Sequence, residues 1–316
     1  VRGFGSVYGG YVNGNPGKAD RNAVTMSGGT MGVPVYGGLV EYSARVPVNM
    51  VSVAEPDPAE LSPEPLDVTA DNNTVALSGV GVEISTDTLS GAGEKRDGIF
   101  GGCVRISEIY PGISVSADTN ATALSHVSAS GARVYGGLIE SGFAYPYPVR
   151  SSGSSDSALS SVRLSDRGNK VFLEQSSAGA GYGGTNRTGG QTYAYPRFQR
   201  SAVAPEFAII PPPTVFTAHA DGNTVGIADS SAVSGDVHGG LIEYGMPIEP
   251  ETSVLMMSFL VPDPVQPEAA PVVFHGSADS NTVSIAGTAG TLTVDGDGYG
   301  GNVRVSPASV GGLARS

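Results

Sequence analysis

Along this chain apolar residues alternate with small or polar ones over short stretches. No stretch keeps apolar residues at i, i+3, i+4 and i+7 over helical length. The alternation is clearest in one recurring segment. Val24 and Met26 flank Thr25, Val75 and Leu77 flank Ala76, Val171 and Leu173 flank Phe172, Val225 and Ile227 flank Gly226, and Val283 and Ile285 flank Ser284. Successive side chains of a strand point to opposite faces, so the pattern predicts half-buried strands with one apolar face.

Each segment carries the same leader, Ala-Asp-x-Asn. The copies run from Ala19 to Met26, Ala70 to Leu77, Ala117 to Leu124, Ala220 to Ile227 and Ala278 to Ile285; a looser one, Ser165 to Leu173, reads as carrying one extra residue. The leading aspartates, Asp20, Asp71, Asp118, Asp166, Asp221 and Asp279, lie 51, 47, 48, 55 and 58 residues apart. Asp and Asn side chains bond nearby backbone, and Asn tolerates a left-handed conformation, so the leader predicts a turn capped by its own side chains.

A second element follows each time, an aromatic residue or His before Gly-Gly: Tyr8, Tyr36, Phe100, Tyr135, Tyr182, His238 and Tyr299. The glycine pair allows positive φ or a corner that a Cβ would forbid. A short strand comes next, and its third position reads Glu41, Arg105, Glu140, Arg187, Glu243 and Arg304. Stacked repeats place these residues in one column of alternating charge, where opposite neighbours contribute about 0.2–1 kcal/mol per pair. Leu-Val-Glu or Leu-Ile-Glu recurs only in alternate copies, which hints at a superunit of two repeats.

One such unit cannot bury its apolar face alone; stacking identical units buries it and pairs the backbone groups. The expected fold is therefore all-β, a right-handed parallel β-solenoid (β-helix) of about six degenerate repeats of about 50 residues. It forms a single domain over 1–316, with repeats near 3–43, 70–108, 115–143, 165–190, 218–247 and 276–306. The number of coils per repeat stays open at this point. The segments 44–69, 144–164, 191–217 and 248–275 read as loop excursions. Several are rich in Pro, which removes donors from a ladder and favours extended conformations.

Composition sharpens this picture. The chain has 46 Gly and 22 Pro among 316 residues and no Trp, a bias that favours turns over long helices. A net charge of −13 excludes nucleic acid as a natural partner, because phosphate binding needs a basic stripe. Cys103 is the one cysteine, so neither an intrachain disulfide nor a cysteine metal cluster is possible. No apolar run is long enough for a transmembrane segment. The chain starts without Met or a signal-peptide pattern, as an internal or processed fragment would.

Ala-Asp-x-Asn-Thr-Val-x-Ile followed by Val-Tyr-Gly-Gly resembles the degenerate repeats of passenger regions in bacterial autotransporter-type adhesins and related large secreted β-solenoid surface proteins. The resemblance covers the repeats and leaves the Pro-rich segments unmatched. It implies an extracellular location on a bacterial cell surface, as a stalk or fibre unit. Such passengers serve adhesion, aggregation, surface coating and, in some cases, hydrolysis. The partners it implies are other copies of the chain, through stacking or filament assembly, and host or cell-surface glycans and proteins.

Candidate chemistry is sparse. His126, His219, His238 and His275 have no ligand at metal spacing; His238 stands in the aromatic column, while His219 and His275 precede the Ala-Asp-x-Asn segments at loop edges. The alternative reading is a glycan-active β-helix enzyme of polysaccharide lyase or hydrolase type, which needs two acids at suitable separation where the repeat breaks. The six leading aspartates are themselves the repeat and read as turn caps, so no catalytic residue and no metal ligand is assigned. Asp295-Gly-Asp297-Gly298 looks like part of a calcium loop but lacks its further acidic ligands. Weak calcium binding, through the Asp turns or the Pro-Asp-Pro loops, is the one cofactor left open. For binding, the best candidates are Tyr145 and Tyr147 in Tyr-Pro-Tyr-Pro, and Tyr193 and Tyr195 in Tyr-Ala-Tyr-Pro, because Tyr offers large contact area for sugars or partner side chains.

Overall fold

The computed structural model describes residues 2–3, 6–14, 17–32, 34–42, 66–83, 98–109, 112–143, 161–189, 214–245, 272–287 and 291–306. Among these the regular secondary structure is all strand, and every strand pairing is parallel. The strands form a sheet of 16 and a sheet of 5.

Pairing follows the repeat. Val24 pairs with Val75, Val75 with Thr122, Thr122 with Val171, Val171 with Val225 and Val225 with Val283. One repeat therefore contributes one rung to the larger sheet. The six rungs are numbered here by their turns: 19–22, 70–73, 117–120, 166–169, 220–223 and 278–281.

Each full rung has three parts. A strand of the smaller sheet leads into the turn, such as Ile113–Ser116 in the third rung. The predicted alternating strand follows, here Ala121–Ser125. Then comes the Gly-Gly strand, here Ser128–Phe143. The smaller sheet corrects the loop expectation: Leu66–Thr69, Ser161–Ser165, Thr214–His219 and Val272–Ser277 lie wholly or largely within the four segments read as excursions. These strands have only four to six residues, too few for their alternation to stand out beside a Pro-rich stretch. They also place His219 and His275 in strands instead of loop edges.

Apolar side chains stack in columns between the faces. The alternating strands bury Val75, Leu77, Leu124, Val171, Leu173, Val225 and Ile227 against the start of the Gly-Gly strands. Val68, Val115, Leu164 and Ala218 of the smaller sheet pack on Ala70, Ala117, Ala220, Val104 and Ile139. A third column is aromatic, with Tyr36, Phe100, Tyr135 and Tyr182 beside Leu39, Cys103 and Leu138. Its rings run on through His238 to Tyr299, stacked at centroid separations of 4.7–5.5 Å from Tyr8 onward.

The Gly-Gly pairs work by close approach, because none of these glycines has positive φ. A Cβ on Gly38 would run into the Ala19 carbonyl oxygen and come within 2.5 Å of Asn73 Nδ2; one on Gly37 would meet the Gly101 carbonyl oxygen. The left-handed residue of each turn is the variable one: Arg21, Asn72, Thr119, Gly168, Gly222 and Ser280. The recurring Asn of the leader, which tolerates that conformation, does not adopt it; it is fully buried at Asn73, Asn120, Asn169 and Asn223.

Candidate functional site

Three polar ladders run along the stack; the first two continue through the fourth rung, and the third breaks there. In the first, Glu41 pairs in register with Arg105, Arg105 with Glu140, Glu140 with Arg187, Arg187 with Glu243, and Glu243 with Arg304. Arg105 Nε donates to Glu140 Oε2 at 2.8 Å, and its guanidinium lies 3.7 Å from Glu41 and 2.8 Å from the Tyr36 hydroxyl. Arg187 Nε donates to Glu243 Oε2 at 2.7 Å, and Arg304 lies 3.4 Å from the same carboxylate. Arg105 also stands over the rings of Tyr36 and Phe100, 5.4 and 5.7 Å from their centroids. Its side chain is only 13% exposed, so these contacts form with little water between them.

The second ladder is built of the leader asparagines. The Asn22 N–H donates to Asn73 Oδ1 at 2.9 Å, Asn73 to Asn120 at 2.8 Å, Asn120 to Asn169 at 2.7 Å, Asn169 to Asn223 at 2.8 Å and Asn223 to Asn281 at 2.8 Å. Each bond satisfies a backbone donor at a corner where the parallel sheet pauses. Only Asn has an acceptor at this reach together with a donor for its neighbours, which explains its recurrence.

The aspartates form the third ladder, running the opposite way. Asp20 accepts the Asp71 N–H at 2.9 Å and the Thr69 hydroxyl at 2.8 Å; Asp71 accepts the Asp118 N–H at 2.7 Å and the Ser116 hydroxyl at 2.8 Å. Asp221 likewise holds the Asp279 N–H and the Ser277 hydroxyl, each at 2.9 Å. The carboxylates clamp the next rung, so the expectation that they cap their own turns is corrected. Burial pushes the Asp71 carboxyl up in pKa, and Asp118 and Asp20 add to the rise against the opposing bonds.

Asp166 does not belong to this column. Register places Asn169 on Asn120 and Lys170 on Ala121, so no residue is inserted and Arg167 holds the aspartate position. Arg167 donates its N–H to Asp118 at 2.7 Å and lies 3.4 Å from Asp221. Asp166 takes the place of Ala117 and Ala220 inside the core and is fully buried. The sequence concealed the shift because Asp166 and Arg167 sit one residue apart with a Gly following, which mimics an insertion.

Two further core positions change in the same rung. Thr185 replaces the Leu138 and Leu241 of its neighbours, and Asn186 replaces Ile139 and Ile242. The Thr185 N–H and Asn169 Nδ2 both donate to the Asp166 carboxyl, and Asn186 Nδ2 donates to the His219 carbonyl at 2.6 Å. Burial pushes the Asp166 pKa well above the usual carboxylate range; Asp118 and Asp71 raise it further, and the two N–H donors oppose. Thr185 Oγ1 and Asn186 Oδ1 are buried without a partner.

His219 Nδ1 lies 2.6 Å from Ser277 Oγ and 3.2 Å from Asp221 Oδ2. These are nucleophile, base and acid by residue type. Hydroxyl and carboxylate meet the same ring nitrogen, however, whereas a relay needs them on opposite ones. His238 is buried between Tyr182 and Tyr299, and burial lowers its pKa. Asp297 donates its N–H to Asp236 at 3.1 Å and accepts the Tyr299 hydroxyl at 3.0 Å. Among the described residues no three His, Cys, Asp or Glu side chains come together as a metal site, and no helix is long and apolar enough to cross a membrane. Tyr145, Tyr147, Tyr193 and Tyr195 lie outside the described residues. No family model matches the chain, and no curated protein or solved structure matches it either.

Proposed function

We propose that the chain winds as a right-handed parallel β-solenoid and serves as an extracellular structural and adhesive protein of a bacterial surface, a stalk or fibre unit acting through its repetition. The observation that carries this reading is the register: along the alternating strands, equivalent residues of six successive repeats lie on one another. Parallel strands joined by connections of one hand are the general rule, which supports the right-handed winding. The ladders spend the chain's polar residues on holding rungs together, as a load-carrying or surface-exposed rod requires. Such rods present long regular faces to glycans, proteins or further copies of themselves.

A glycan-active enzyme is the weaker reading. The acids at the break are Asp166, fully buried, and Asp118, which is occupied with Ser165 and the Arg167 N–H. The test is antibody labelling of intact producing cells, with brief external proteolysis as a check. Labelling that external protease removes supports the proposal; labelling confined to permeabilised cells sinks it.

A further inference from the structure

The outer face of the alternating strands is lined mostly by small residues and is nearly uncharged. In five rungs its side chains are Ala, Thr, Ser or Gly, as in Thr74, Ala76 and Ser78 of the second rung or Thr224, Gly226 and Ala228 of the fifth. The fourth rung differs. Its strand Lys170–Glu174 turns Lys170, Phe172 and Glu174 outward while Val171 and Leu173 stay buried. Phe172 is 47% exposed, and its ring lies so close over Gly226 that a Cβ there would come within 2.9 Å of it. Among the described residues Glu174 accepts a long bond from the Ser125 hydroxyl, at 3.3 Å.

We infer that this face binds a second copy of the chain, side by side, about a two-fold axis that runs along the stacking direction past Phe172. This inference rests on the surface-scaffold reading above for its setting, and on the fourth rung for its geometry. Side chains at i, i+2 and i+4 of one strand lie on a line about 14 Å long. A two-fold axis along the stack reverses the strand direction and keeps the rung order. It therefore sets Lys170 of one copy opposite Glu174 of the other, twice, with the two Phe172 rings between them. An axis along the strand would instead oppose Lys170 to Lys170, so the charges select one arrangement. Isologous contacts of this kind close on themselves and give dimers, not fibres. The small residues of the other rungs let the faces approach, and Gly226 leaves room above its backbone for the Phe172 ring of its own chain.

Six rungs about 4.8 Å apart, each offering roughly 14 Å of strand, give about 400 Å² per copy. That is half of a standard interface, so the association is weak and reads out at high concentration or when copies are held on one surface. Sedimentation velocity of the purified chain, from about 10 μM to about 1 mM, tests it. The expected result is a reversible monomer–dimer equilibrium. Phe172→Ser abolishes it, and Lys170→Glu or Glu174→Lys alone weakens it about tenfold by placing like charges opposite each other twice. The double reversal, Lys170→Glu with Glu174→Lys, restores it. Phe172→Cys gives a disulfide-linked dimer on mild oxidation, with circular dichroism checking that each variant keeps its β-structure. A chain that stays monomeric throughout, or a double reversal as weak as the singles, overturns the inference. A monomeric chain that still labels intact cells overturns it while leaving the proposed function standing.

Discussion

Replacing Asn120 by Ala tests the asparagine ladder at its centre. Asn120 Oδ1 accepts two bonds, from the Asn73 N–H at 2.8 Å and from Asn73 Nδ2 at 3.2 Å. Its own Nδ2 has no partner, so the substitution strands donors only on the Asn73 side. Asn73 is fully buried, and water cannot take over. An unsatisfied buried N–H costs about 1–3 kcal/mol, and the lost side-chain bond about 1 kcal/mol more. The sum, about 3 kcal/mol, corresponds to a roughly 150-fold larger open population of that corner. A stack of repeats need not unfold in one step, so the local reading is the safer one. Hydrogen exchange of the Asn73 amide measures it, and urea titration gives the global value. Asn72→Gly is the control: it lies in the same turn, exposed and left-handed at φ 57°, where Gly is at ease. Its expected effect stays within about 0.5 kcal/mol. An Asn120→Ala variant whose Asn73 amide stays as protected as in the control would refute the ladder argument.

Glu140→Arg places a third cation between Arg105 and Arg187, and removes the 2.8 Å partner of Arg105. The expected loss is about 2 kcal/mol in urea unfolding, reduced by high salt because Glu140 is partly solvated. Asp166 has a raised pKa in the folded chain, so its contribution is fully present below about pH 4, the unfolded value, and is lost as pH rises toward the folded one. Asp166→Asn removes that slope: its melting temperature gains on the wild type as pH rises above about 4, and a gap constant with pH between about 4 and 8 counts against the assignment. Cys103 is fully buried, and burial pushes its thiol up to about 12. It should therefore stay unreactive to a thiol-exchange reagent at pH 8 until denaturant is added; prompt labelling of the native chain would contradict the packing.

Much of the fold was legible because repetition multiplies weak signals. One copy of Val-x-Leu proves little, but the same alternation under the same leader marks a stacked strand. The charge column could be read for the same reason, since Glu41 to Arg304 recur at a fixed offset from Gly-Gly. What stayed hidden lacked either length or a partner in the line of sequence. The smaller sheet is made of strands of four to six residues beside Pro-rich stretches. The asparagine ladder bonds residues 47–58 positions apart, so nothing local distinguishes it from a turn motif. The fourth rung misled because an Asp occurs one place early; only the register reveals that Arg167 is the true counterpart and that Asp166 has gone inside.

The alternating column of Glu and Arg has a bearing on how such a gene could grow or shrink. Repeats are gained and lost by unequal recombination between like copies. Dropping one repeat would leave the asparagine ladder continuous, because every rung offers the same Asn to the next. It would set Glu beside Glu or Arg beside Arg in the charge column, half-buried and repelling. Removing two together restores the alternation. Viable length variants should therefore differ by pairs of repeats, and the hereditary unit of this protein is twice its structural one.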